Sequence, residues 1–133
     1  MMGTNLRTRA LAAVVVLGLL RAVCCAAADV PRMKDPMRKV SVAIHADDAH
    51  EECFHLGAGD SVDYRYKAVA PVTFNIHYHT EREVVTPVER EDATSDAGSY
   101  VATEAQGYCM MWINARDEST QLEYDFRINR RAE

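Results

Sequence analysis

The chain has 133 residues, with 15 Lys and Arg against 20 Asp and Glu, a formal charge of −5 and four cysteines. That is one domain's worth of polypeptide, enough for a single modest core. An acidic chain of this size repels nucleic acid and anionic lipid at long range, so neither is expected as a partner.

The N-terminus reads as an export signal. Arg7 and Arg9 make a basic start, Leu11 to Leu20 is an apolar run, and Ala26 and Ala28 offer an A-x-A cleavage site. Residues 1–28 are therefore expected to be removed, leaving a mature chain that starts at Asp29. Arg21 ends the apolar run at about half the roughly 20 residues that a spanning helix needs, so no stable membrane insertion is expected after cleavage. Loss of Arg7, Arg9 and Arg21 takes the formal charge from −5 to −8. The expected location is the periplasm of a bacterium, and otherwise the secreted or luminal space. Cys24 and Cys25 leave with the signal. Cys53 and Cys109 remain, and two cysteines in an oxidising compartment read as one disulfide.

Asp29 to Lys39, with Pro31, Pro36 and mixed charge, reads as an extended linker. From Val40 the pattern has period two: Val40, Val42 and Ile44 share one face, Ser41, Ala43 and His45 the other. Asp47 to Glu52 reads as an acidic loop, Cys53 to Leu56 as a short strand and Gly57 to Asp60 as a turn. Val62, Tyr64 and Tyr66 then alternate with Ser61, Asp63, Arg65 and Lys67. A separate strand from Pro71 sets Val72, Phe74, Ile76 and Tyr78 against the polar Thr73, Asn75, His77 and His79. Glu83 to Val88 is a weaker strand that Pro87 confines to an edge or a bend. Glu91 to Gly98 reads as a polar loop, with Gly98 to Val101 re-entering the sheet. Tyr108 to Asn114 is a buried strand and Leu122, Tyr124, Phe126 and Ile128 mark the last one. Seven or eight short strands without a helical period predict an all-β fold, an antiparallel β-sandwich.

Gly107-Tyr108, then Met111-Trp112-Ile113-Asn114, Ser119 and the alternating Leu122, Tyr124 and Phe126 form a pattern that resembles the end of a GOLD (Golgi dynamics) domain. Glu52-Cys53-Phe54 is similar to the cysteine motif of the GOLD domain in transmembrane cargo receptors of the early secretory pathway. The resemblance spans residues 40–128, leaving 129–133 as a C-terminal tail. It departs at the second cysteine: the place held by cysteine in that family is Met111 here, and Cys109 lies two residues earlier. A shift of two keeps the side chain on the same strand face. No coiled coil, membrane anchor or cytosolic tail follows Ile128, and those parts carry coat binding and cargo cycling in that family. The resemblance thus implies a free-standing β-sandwich used for binding.

His77 and His79, two apart on a strand, project from one face. Such a pair can ligate zinc or copper if His45, His50, His55 or a carboxylate completes the site. The same histidines also suit a solvated strand face beside Thr73, Asn75 and Glu81. Asp47, Asp48, Glu51 and Glu52 cluster acidic groups without the spacing of a calcium loop. The chain shows no G-x-S-x-G, phosphate loop or H-E-x-x-H motif, and no catalytic residue is expected. The expected function is an exported, non-catalytic binding module for a protein partner or small ligand. Its contact surface would be the polar face of Thr73, Asn75 and the two histidines, with Glu81, or the edge at Glu83 to Val88. The alternatives are a metal-binding envelope protein using His77 and His79, and a structural accessory subunit of an envelope complex.

Overall fold

In a computed structural model the described residues are 32–132. The export signal and its cleavage site lie outside them. Seven antiparallel strands make up the fold: β1 (Arg32–Lys34), β2 (Arg38–Ile44), β3 (Asp48–Leu56), β4 (Ser61–His79), β5 (Val84–Val101), β6 (Gln106–Asn114) and β7 (Thr120–Arg131). They form one sheet in the order β1-β7-β4-β6-β3, with β2 also on β7 and β5 also on β4.

The long strand β4 decides the architecture. Its first part, Ser61 to Ala68, pairs with β7, and its second part, Thr73 to Tyr78, pairs with β6. Between them lies Pro71, which has no N–H to give to a ladder and is tolerated in strands at irregularities. The pairing with β5 slips at this point, from Lys67↔Ser95 to Val72↔Ala93. A bulge of this kind bends and twists the strand that carries it. The freed Ala70 N–H is not orphaned, because it donates to the Thr120 hydroxyl at 3.0 Å. The sheet therefore curls, and its halves face one another as the two layers of a sandwich.

Alternation supplies the core. Val62, Tyr64, Tyr66, Ala68, Val72, Phe74, Ile76 and Tyr78 of β4 are all buried, and so are Tyr108, Met110 and Trp112 of β6 and Leu122, Tyr124, Phe126 and Ile128 of β7. The two layers meet through aromatic rings. Trp112 lies 4.4 Å from Tyr124 and 5.3 Å from Phe74 between centroids, and Phe54 stacks on Phe126 at 5.6 Å. Such offset and tilted pairs add to the area they bury.

Five sequence expectations change. The expected linker contributes β1, paired at Arg32↔Arg131, and the start of β2, while residues 129–131 of the expected C-terminal tail are the end of β7. The expected acidic loop is strand from Asp48 onward, because its register against β6 is continuous from Asp48↔Asn114 to Leu56↔Gln106. The expected polar loop at 91–98 is the middle of β5, held along β4. Finally, the two strands expected over 61–67 and 71–79 are one strand. In the linker, tail and loop cases a ladder partner on another strand satisfies the backbone of a polar segment, and local composition carries no sign of that partner.

Asp60 closes one end of the fold. Its carboxylate accepts the N–H groups of Gly57 (2.9 Å) and Arg131 (2.8 Å) and the guanidinium of Arg130 (3.2 Å). It thereby ties the β3–β4 turn to the end of β7. Gly59 within that turn has φ +86°, where a side chain is strained.

Candidate functional site

The cysteines form the expected bridge. Cys53 of β3 and Cys109 of β6 are directly opposite in the ladder, with Cα atoms 4.1 Å apart and the sulfurs bonded. Cys109 is in turn opposite His77 of β4. Cys53, Cys109 and His77 thus form one row across three adjacent strands on the outer face of the sheet. Glu51, two residues before Cys53, belongs to the same face.

His77 is only 4% exposed. Nδ1 lies 2.8 Å from the Asn75 side-chain oxygen and Nε2 3.3 Å from Glu51 Oε1. Both ring nitrogens thus face acceptors, whereas a neutral imidazole has one N–H. Each nitrogen therefore has an acceptor within reach: the Asn75 oxygen at Nδ1 and the Glu51 carboxylate at Nε2. Burial pulls the His77 pKa below its ordinary value; Glu51 opposes this and His79 adds to it. The Glu51, His77 and Cys109 donor atoms all lie within 4.8 Å of one another.

The polar face expected from Thr73, Asn75, His77 and His79 is only partly a surface. Asn75 and His77 are buried and Thr73 is half-buried, so of the four only His79 is exposed. Neighbours on β6 and β3 cover that face, which strand alternation alone does not show. The two histidine rings do come together, with centroids 5.2 Å apart and planes at 76°. Glu81 lies in the exposed turn after β4, and Gly107 sits on β6 opposite His55. Phe54 is half-buried, while Tyr108, Trp112, Asn114 and Phe126 are core residues.

Asn114 has a definite structural task. Its side-chain amide donates to the carbonyls of Ile44 (3.3 Å), His45 (2.9 Å) and Glu118 (2.8 Å), and its oxygen accepts the Arg116 N–H at 3.3 Å. It fastens the end of β2 to the turn between β6 and β7.

A second polar cluster lies at the seam where β2 and β3 approach without pairing. The Tyr124 hydroxyl donates to Glu52 Oε2 at 2.9 Å, so the His50 Nε2 contact at 2.9 Å is a donation from His50. Arg38 pairs with Glu52 at 3.1 Å and lies over the Phe126 ring. Burial and then the Glu52 carboxylate push the Tyr124 pKa well up. Sequence reading placed Glu51 and Glu52 in one acidic loop. The strand separates them, sending Glu51 outward to His77 and Glu52 inward to Tyr124.

A groove of about 770 Å³ crosses β2, β7, β4 and β5 on the outer face of the other half-sheet. Its floor is the row Val40, Tyr124, Tyr66 and Asp96, which the ladder places side by side. Lys39, Arg65, Lys67, Glu123 and Asp125 rise around it, with the small Ser41, Ser95 and Ala97 between them. Arg65 and Asp125 pair with each other at 2.6 Å. Among the described residues Lys39, Lys67 and Glu123 have no ion-pair partner. Nothing in the sequence had pointed to this groove, because its residues come from four strands separated by up to 86 positions, from Lys39 to Asp125.

No protein-family model matches the chain, and no curated protein matches it. Among solved structures it is similar to the solution NMR structure of a de novo designed double-stranded β-helix. That likeness is at 15% identity over 68% of this chain and 95% of the other, with a TM-score of 0.35.

Proposed function

We propose that the chain is an exported, non-catalytic binding module, GOLD-like in kind, that takes a polar peptide segment of a partner protein in the groove across β2, β7, β4 and β5. The observation that carries this reading is the groove itself. It combines a concave floor with small side chains and with Lys39, Lys67 and Glu123, which have no ion-pair partner among the described residues. Charges of both signs suit a polar segment better than an apolar ligand. The disulfide Cys53–Cys109 supports export, because such bonds persist in oxidising compartments.

A thermal-shift screen of short acidic, basic and mixed-charge peptides on the wild-type chain tests the reading. Peptides that stabilise the wild type should bind at least about tenfold more weakly to Ala97→Trp, which fills the groove, and to Lys67→Glu, which reverses a free charge; that factor corresponds to about 1.4 kcal/mol. Equal affinity for the filled variant, or no stabilising peptide of any charge class, would refute the assignment.

A further inference from the structure

We propose that reduction of the Cys53–Cys109 disulfide converts this part of the outer face into a four-ligand site for a thiophilic divalent cation such as zinc. The ligands would be the two thiolates, His77 Nε2 and Glu51. This site is separate from the groove, on the other half-sheet, and does not depend on the groove's role.

The donor set is already gathered. A Glu51 oxygen, a His77 ring nitrogen and Cys109 Sγ lie within 4.8 Å of one another, Nε2 is 3.3 Å from Glu51 Oε1, and Cys53 Sγ is bonded to Cys109 Sγ. In a tetrahedral zinc site the bonds of about 2.0–2.3 Å put donors roughly 3.3–3.8 Å apart. Small side-chain rotations would therefore close the set once the sulfurs are free to separate. Sulfur, nitrogen and carboxylate oxygen are the donor types that zinc takes.

A second observation is independent of those distances. A metal-bound histidine characteristically gives its other N–H to an acceptor, which fixes the ring and its tautomer. His77 has such an acceptor in place: the Asn75 side-chain oxygen lies 2.8 Å from Nδ1 inside the protein. Nε2, the other ring nitrogen, lies 3.3 Å from Glu51 Oε1, so it is the atom of His77 left to bind a cation beside that carboxylate.

The chemistry balances with a dithiol reductant. Its two thiols pass two electrons and two protons to the disulfide, which becomes two cysteine thiols, while the reductant closes to its own disulfide. Zinc binding then displaces the two thiol protons to solvent. Access is open, because Cys53 and Glu51 are exposed on the edge strand β3 while His77 forms the buried back of the site. The oxidised chain has no thiolate to offer, so the bridge acts as the gate.

The experiment uses the full exported chain, oxidised and reduced with a phosphine that does not bind zinc. Each form is equilibrated with zinc or cobalt(II) and then desalted. The reduced chain should retain one metal per chain, and its cobalt form should show thiolate-to-metal charge-transfer absorption; the oxidised chain should retain none. His77→Ala and Glu51→Gln should each weaken retention by at least about tenfold. Asn75→Ala, which frees the ring to turn, should cost roughly 10–100-fold. The idea is overturned if the reduced wild type retains no metal, or if His77→Ala binds as tightly as wild type. Should the reduced apo chain lose its fold, zinc must restore the near-ultraviolet circular dichroism of wild type but not that of His77→Ala. Failure of that restoration would equally overturn it.

Discussion

Replacing both bridging cysteines, Cys53→Ala with Cys109→Ala, should remove about 4 kcal/mol of stability. The two residues are 56 apart in sequence. Cross-linking a chain over that span removes about 14 cal/mol/K from the unfolded ensemble, or about 4 kcal/mol near 25 °C on the chain-entropy model. Packing adds little to this figure, since Cys53 is exposed and Cys109 is only half-buried. Nor should the native ladder dissolve, because β3 pairs with β6 over nine residues, Cys53 and Cys109 being one pair among them. The loss is nonetheless a large share of the roughly 5–15 kcal/mol that holds a typical domain. Urea denaturation followed by tryptophan fluorescence is the natural assay, since the single Trp112 lies fully buried between the layers. A chelator should be present so that no cation compensates. The unfolded variant is freer and more exposed, so the slope of the transition should steepen as its midpoint falls. A loss below about 1 kcal/mol with the fold intact would refute the reasoning. It would mean that the unfolded chain gains no freedom when the bridge goes.

Three further outcomes are expected. Asn114→Ala should cost about 2 kcal/mol, at roughly 1 kcal/mol for each of the two N–H donors that the three carbonyls share, read as a lowered denaturation midpoint. Tyr124→Phe keeps the ring against Trp112 but strips Glu52 and His50 of a shared partner, and thermal denaturation should show a loss of about 1–2 kcal/mol. For Asp60, burial raises the carboxyl pKa, but the Arg131 and Gly57 N–H groups and Arg130 outweigh it and hold the value below the ordinary 3.8. Its stabilisation is therefore whole above pH 3.8 and is lost as pH falls through the lower, folded value. The gap in stability between wild type and Asp60→Asn should be wide at pH 7 and shrink on acidification below that point. A gap that stays constant into strong acid would show that the charge does not matter.

The strands with a buried face were legible because alternation is a local signal. In 40–44, 62–66, 72–78 and 122–128, each second side chain is apolar, and those residues fill the core or, as with Val40 and Val42, pack against it. Segments with both faces polar were not legible. Glu91 to Gly98 and Asp48 to Glu52 carry loop composition, yet they are strands because β4 and β6 supply their hydrogen bonds. The candidate site divides in the same way. His77 and His79 stood out through their spacing, but Glu51 reaches His77 only because β3 is laid in register on β6. Asn114, noticed as part of a motif, turns out to clamp three carbonyls from segments that no local pattern connects.

Side-chain alternation and the pair of cysteines left in the predicted mature chain were enough to establish an all-β fold with one bridge, since both depend on residues near one another or on a count. Which residues share a row was decided only by the tertiary structure. Pro71 denies β4 a ladder bond, the strand bends there, and its two parts take different neighbours. From that bend follow the curled sheet, the burial of His77 beside the bridge and the groove on the opposite half, because register between strands is set by packing across the whole sheet.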